Sequence, residues 1–288
     1  KKISDKLFYG TYIHGNQRDK KIDFNNDNFL DLPISKQINI LNRFQFIDNE
    51  KGIISFLSFR FLNDDKLMGS KYYIPKKSNK FLVWGSEVDT ERIDTSFKLG
   101  YVSPELPYKS LGFQVSYSIH DQIGSYGYRL YDIKHESFYS NFVFNSIIGN
   151  TKNKLKAGIN ISSDKYLENI DKFYYNRIDS SLGGFFEYNY DNLNNLSLIA
   201  GLRIDNHNRM GLFMTPRVHL RYLPFKETAI RFSIGTGRKV SNIFSENQSL
   251  FGTNRLIEIE NSGGGVYGLN PEKALNYGFG INHKFLLF

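Results

Sequence analysis

Residues 110–120 read Ser-Leu-Gly-Phe-Gln-Val-Ser-Tyr-Ser-Ile-His, and their alternation decides the fold. Leu111, Phe113, Val115, Tyr117 and Ile119 fall on one side of an extended chain, while Gly112, Gln114, Ser116, Ser118 and His120 fall on the other, because successive side chains of a strand point to opposite faces. One side is wholly apolar and the other wholly polar or glycine. The pattern recurs in Ile93, Thr95, Phe97, Leu99 and Tyr101, in Leu155, Ala157, Ile159 and Ile161, in Leu196, Leu198, Ala200, Leu202 and Ile204, and in Ile230, Phe232 and Ile234.

Counting such segments predicts about twelve strands, centred roughly on residues 10, 42, 57, 95, 116, 141, 158, 185, 200, 219, 232 and 280, with no amphipathic helix of convincing length between them. Short connections at 48–52, 103–109, 149–153, 191–195 and 224–227 alternate with long ones at 15–35, 64–85, 121–134, 163–177, 206–213 and 236–270. Strict alternation of this kind is what an antiparallel up-and-down barrel in an outer membrane produces, with short periplasmic turns and longer external loops. A soluble β-sandwich also has period two. Here the apolar strips end in aromatics beside the short turns, at Tyr101, Tyr108, Tyr188, Tyr190, Tyr222, Phe225 and Phe285, as an interfacial girdle does. The sequence therefore reads as all-β, with the apolar face toward lipid and the polar face toward a lumen.

Composition supports this and excludes other classes. Aromatics make up 16% of the 288 residues, with 25 Phe and 19 Tyr, and such residues favour strands. The absence of Cys excludes disulfide frameworks and Cys-ligated zinc. No stretch approaches the roughly 18 consecutive apolar residues of a membrane-crossing helix. The net charge is +8, but Lys and Arg are scattered singly, which argues against nucleic acid and for solvated loops or a surface facing anionic lipid headgroups. The chain opens Lys1-Lys2-Ile3-Ser4 with no initiator Met or signal stretch, so it reads as a processed chain or a piece of a longer one.

Three stretches carry a family likeness. They are "TPRVHLRYLPFKETAIRFSIGTGRKVSNIFSENQSLFGTNR" at 215–255 followed by "GLNPEKALNYGFGINHKF" at 268–285, "DFNNDNFLDLPISKQINILNRFQF" at 23–46, and the run from Ser110 to Leu155. Together they resemble the barrel of a TonB-dependent outer-membrane receptor across nearly the whole chain. The resemblance implies a barrel of about 22 strands with a plugged lumen. It also implies residence in the bacterial outer membrane and active import of a scarce ligand. Residues 1–288 then form a single barrel segment, with the plug domain and the contact to the TonB complex supplied by parts of the receptor outside it. The alternatives left open are a structural or docking barrel in a larger envelope assembly, with a surface lipoprotein or other envelope partner, and a complete small barrel.

Candidate site residues follow from parity and spacing. Arg203, Asp205, Arg217, His219, Arg221 and Arg231 share the inward count on three neighbouring strands, so cations are expected to gather on one sector of the lumen wall, facing water or a plug. Arg238, Asn242 and Glu246, in the Gly-Arg and Asn-Ile-Phe-x-Glu stretch after that sector, are further lumen or ligand candidates by the same resemblance. Asp23, Asn25, Asp27 and Asp31 have the alternating oxygen spacing of a calcium loop, with Asn28 where Gly is preferred and no Glu at the twelfth position. The competing reading is that these side chains cap turns. No cofactor is otherwise required. Glu87, Asp89 and Glu91 continue the lipid-facing side of their strand above the hydrocarbon, as a divalent-bridged contact with lipopolysaccharide or as a solvated extension. Ser118 and His120 share a face but lack a nucleophile elbow, and no enzyme activity is expected. The glycine run 263–268 reads as a flexible part of an external loop.

Overall fold

The computed structural model describes residues 1–75, 83–253, 255–261 and 263–285. Among them, twelve long strands and one two-residue strand form one antiparallel sheet. The strands are β1 (Leu7–Arg18), β2 (Ile34–Asp48), β3 (Ile53–Gly69), β4 (Gly85–Val102), β5 (Ser110–Tyr126), β6 (Arg129–Ile148), β7 (Asn150–Ile170), β8 (Phe173–Tyr174), β9 (Arg177–Asp191), β10 (Leu196–His207), β11 (Gly211–Phe225), β12 (Thr228–Lys239) and β13 (Glu272–His283). Each long strand pairs with its neighbour in the chain, β7 passing directly to β9, with β8 a short addition on β7. The sheet is open, with β1 and β13 at its edges.

Register fixes the two faces, because directly opposed residues in an antiparallel pair project to the same side. The row Lys98, Gln114, Asn141 is continuous across β4 to β6, and so is the row Phe97, Val115, Ser140 on the opposite face. Phe113 and Tyr117 on β5, Phe138 and Phe142 on β6, Ile159 and Ile161 on β7, and Leu202 and Ile204 on β10 are exposed on that second, apolar face. Tyr101, Tyr188, Tyr190 and Tyr222 belong to it at the end of the short turns. An apolar sheet face this wide, left uncovered, is the face a bilayer solvates.

Three expected long loops are not loops. Residues 121–134, 163–177 and 206–213 lie largely in β5, β6, β7, β9, β10 and β11, joined by connections of 127–128, 171–176 and 208–210. β7 has 21 residues, and at about 3.3 Å each and a tilt near 40° it rises about 50 Å, twice the ~25 Å apolar band of an outer-membrane barrel. Above that band the outer face leaves the apolar layer and the inner face carries a mixture of polar and aromatic residues packed under the β12–β13 connection, so the hydrophobic alternation that marks a strand in sequence disappears while the backbone ladder continues. Gly127, at φ +61°, permits the tight β5–β6 turn.

The buried apolar cluster lies on the inner face, at the end of the sheet opposite the short turns. The described residues between β12 and β13, 240–253, 255–261 and 263–271, fold inward through the helix α1 (Ile243–Glu246) and a 3₁₀ turn (Gln248–Gly252). They set Phe244, Phe251, Val266 and Tyr267 against Tyr126, Ile133, Tyr131 and Ile170 of β5 to β7. Phe251 lies 5.0 Å from Tyr131 and 5.3 Å from Tyr126, centroid to centroid, and Phe244 meets Tyr267 edge-on at 5.2 Å. The glycine run expected to be flexible closes a tight turn instead, with the Gly264 amide donating to Gly268 and that of Leu269 to Val266.

Candidate functional site

A polar network joins this inward-folded loop to the strand wall. Glu168 on β7 and Arg177 on β9 share the inner face through the register pair Tyr166 and Arg177. Glu168 is 1% exposed and the Arg177 side chain 4%. Tyr131 donates its hydroxyl proton to Glu168 Oε1 at 2.7 Å, Tyr267 donates to Oε2, and Arg177 Nη1 reaches Oε2 at 3.3 Å. Arg177 also donates to Tyr267 Oη at 2.9 Å, to Asp179 Oδ2 at 3.1 Å and to Asn242 Oδ1. Its guanidinium stacks 3.9 Å over the Tyr166 ring, and Arg209 supplies a second cation to Asp179. Two cations thus meet two carboxylates, and the charges are paired and hydrogen-bonded as burial requires. Burial and the adjacent Glu168 push the Tyr267 hydroxyl far above its usual range, so it remains a neutral donor.

Register places the residues of the arginine sector on one face of the sheet, the polar one. Arg217 lies opposite Gly201 and Gly235, Arg221 opposite Ser197 and Arg231, and His219 opposite Ile199 and Ser233. Arg203 and Asp205 lie on the same side of β10 and pair with each other at 2.6 Å, and Arg217 pairs with Glu187 on β9. The wall therefore neutralises part of this sector itself. Gly183 makes room for the Arg203 pair, since a Cβ there would come 2.2 Å from Asp205 Oδ1. Arg238 has the opposite parity on β12, and its guanidinium stands 5.2 Å from the Phe213 ring. Asn242 joins the Arg177 network, and Glu246 binds Lys239 at 2.8 Å at the root of the inward loop.

Asp23, Asn25, Asp27 and Asp31 are close in the β1–β2 connection, but their oxygens are occupied by backbone amides. Asp23 accepts from Asp27 and Asn28 N–H, Asn25 from Asp27, Asp27 from Phe29, and Asp31 from Phe24. Asn26 and Asn28 take φ +59° and +68°. Lys71 donates to Asp23 Oδ2 at 2.9 Å and holds that carboxyl below its usual range. This is the turn-capping arrangement, and no group of three or more His or acidic side chains among the described residues is placed to hold a metal ion. Glu87, Asp89 and Glu91 fall on the apolar-side parity at the long-loop end, with Asp65 opposite Asp89 and Asp121 opposite Glu91. Tyr73 donates to Glu87 at 2.8 Å.

The network around Arg177 escaped sequence reasoning because its strand ends read as loop. A signal was present: Tyr166 and Glu168, and again Arg177 and Asp179, keep period two through polar sequence.

A continuous antiparallel sheet with one apolar and one polar face, and a loop tucked against the polar side, defines the wall of a transmembrane β-barrel. The TonB dependent receptor-like β-barrel family matches residues 4–288, and the chain belongs to that family. Among solved structures, the siderophore receptor PirA of Pseudomonas aeruginosa superposes with TM-score 0.70 at 14% identity, over 98% of this chain and 47% of that one. PirA of Acinetobacter baumannii gives 0.72 at 12%, over 98% and 46%, and the alcaligin outer-membrane receptor FauA of Bordetella pertussis gives 0.61 at 13%, over 90% and 42%. The chain thus spans less than half the length of these structures. No curated protein sequence matches it.

Proposed function

We propose that the chain forms a large part of the wall of a bacterial outer-membrane receptor, one that imports a scarce ligand of the metal-chelate kind with energy delivered through TonB. The observation that carries this reading is the two-faced sheet. Its apolar side suits lipid, with lipopolysaccharide at the long-loop rim, and its polar side suits a lumen occupied by a plug domain. The long connections 19–33, 70–84 and 240–271 all leave from one end, which becomes the external, ligand-meeting end. Both PirA structures that share the fold are siderophore receptors, which favours an iron chelate. The open edges at β1 and β13 cannot stand unpaired in hydrocarbon, so about ten further strands close the barrel. The test is iron-55 uptake by cells growing on their own secreted chelator. Disrupting the receptor gene and removing TonB are each expected to abolish the same component of uptake. Uptake that survives both would refute the assignment.

A further inference from the structure

The outer face carries a polar cluster in the middle of its apolar band. Register puts Tyr9 and Thr11 of β1 and Asn42 of β2 on that face, in rows that run through Phe44, Leu57 and Phe97 to Val115 and through Phe59 and Thr95 to Tyr117. Along β2 the face reads Phe46, Phe44, Asn42, Ile40 and Ile38, and Asn42 lies six residues from Asp48 at one end and six from Lys36 at the other. At about 2.5 Å of rise per residue on a strand tilted near 40°, each charge is ~15 Å away, which sets Asn42 at the midplane of the hydrocarbon. Tyr9 donates to Asn42 Oδ1 at 2.6 Å, Thr11 Oγ1 lies 2.8 Å from the same oxygen, and the two hydroxyls are 2.5 Å apart. The ring so closed uses one end of the carboxamide. Asn42 Nδ2 has no partner among the described residues, and Thr11, exposed at the sheet edge, keeps unused lone pairs. No water is present at this depth to take up the two N–H bonds, and leaving them bare in hydrocarbon is costly.

We propose that this patch is a contact between two copies of the receptor inside the bilayer, related by a twofold axis beside Asn42 and Thr11. The inference takes from the receptor reading only that this face meets lipid. The patch is self-complementary. It holds free donors on Asn42 and free acceptors on Thr11, so in an isologous contact the amide of each copy meets the hydroxyl of the other. Around it lie the exposed apolar side chains Ile13, Ile38, Phe44 and Phe59. Lipid and a protein surface solvate such side chains about equally, so the polar centre is what selects a partner. An acyl chain offers no acceptor, and a charged segment would meet no counter-charge in the patch. The strand that pairs with β1 in the complete barrel lies two strand spacings from Asn42, about 9.6 Å, with the Thr11 side chain between, whereas a surface laid on from the lipid side reaches the amide directly.

The test uses the full-length receptor in outer-membrane vesicles, carrying a single cysteine. With Ile13→Cys, mild oxidation is expected to give a disulfide-linked dimer, whereas Phe142→Cys, exposed on the same face five strands away, gives monomer only. Adding Asn42→Leu to Ile13→Cys is expected to lower the dimer yield about tenfold, the combined worth of two symmetry-related bonds at the average measured inside membranes. Adding Thr11→Val instead lowers it severalfold, and heat-modifiable gel mobility stays unchanged in both. A dimer yield that Asn42→Leu leaves unchanged, a monomer throughout, or a product with a different protein each overturn the proposal. A lipid-soluble maleimide applied to Phe142→Cys separates this failure from a larger one. Labelling without a dimer overturns the contact alone; if that cysteine is not labelled, the face does not meet lipid and the receptor assignment fails with it.

Discussion

Replacing Arg177 by Ala separates the inward loop from the wall without touching the strand ladder. The guanidinium makes contacts to Glu168, Asp179, Asn242 and Tyr267, and it covers the Tyr166 ring. Removing one partner of a buried ion pair costs about 3–5 kcal/mol. Two features hold the cost near the lower end. Glu168 keeps the hydroxyls of Tyr131 and Tyr267, and Asp179 keeps Arg209. A loss of about 3 kcal/mol changes the docked-to-undocked ratio of residues 240–271 by roughly two orders of magnitude. Protease cleavage within 240–271 on intact cells is therefore expected to accelerate strongly in Arg177→Ala and by less in Arg177→Lys, which retains the charge but loses the fork. A cycle with Glu168→Gln is expected to show coupling, since the two residues share one network. Equal protection of the loop in wild type and Arg177→Ala would refute the reasoning.

Val115→Arg and Leu198→Arg put a charge on the apolar face and are expected to cost about 2–4 kcal/mol, whereas Gln114→Arg on the inner face assembles normally; heat-modifiable gel mobility checks both. Gly183→Val is expected to lose about 1–3 kcal/mol by driving Asp205 off Arg203, read from urea unfolding in micelles. Lys71 depresses the Asp23 carboxyl below its ordinary value of 3.8, so the stabilisation is complete above pH 3.8 and is lost as pH falls through the lower folded value. Lys71→Ala is expected to move the Asp23 carboxyl titration, followed by carbon-13 resonance, upward toward 3.8.

Much of the sheet was legible because one apolar and one polar face impose the same period on every strand. Leu111 to Ile119 and Leu196 to Ile204 show it without interruption, and all twelve expected strand centres fall within long strands. The tops of β5, β6, β7 and β9 were not legible, since their inner residues, such as Glu168, Arg177 and Asp179, are polar side chains buried by a distant segment and read in sequence as loop. The inward fold of 240–271 depends on contacts with β5 to β9 more than 60 residues away in sequence, as between Arg177 and Asn242, and local pattern does not encode it. The arginine sector was legible by parity, but its partial neutralisation by Glu187 was not, because register between β9 and β11 is mediated by β10.

The central claim is that one face of this sheet meets lipid and the other does not. Nitroxide labels placed singly from Leu111 to His120 in the reconstituted full-length receptor test it, with collision rates for oxygen and for a water-soluble nickel chelate measured at each position. Oxygen collisions are expected to peak at Leu111, Phe113, Val115, Tyr117 and Ile119, with a period of two along β5. Oxygen accessibility that is uniform along the strand, or that peaks at Gly112, Gln114, Ser116, Ser118 and His120, would contradict the account.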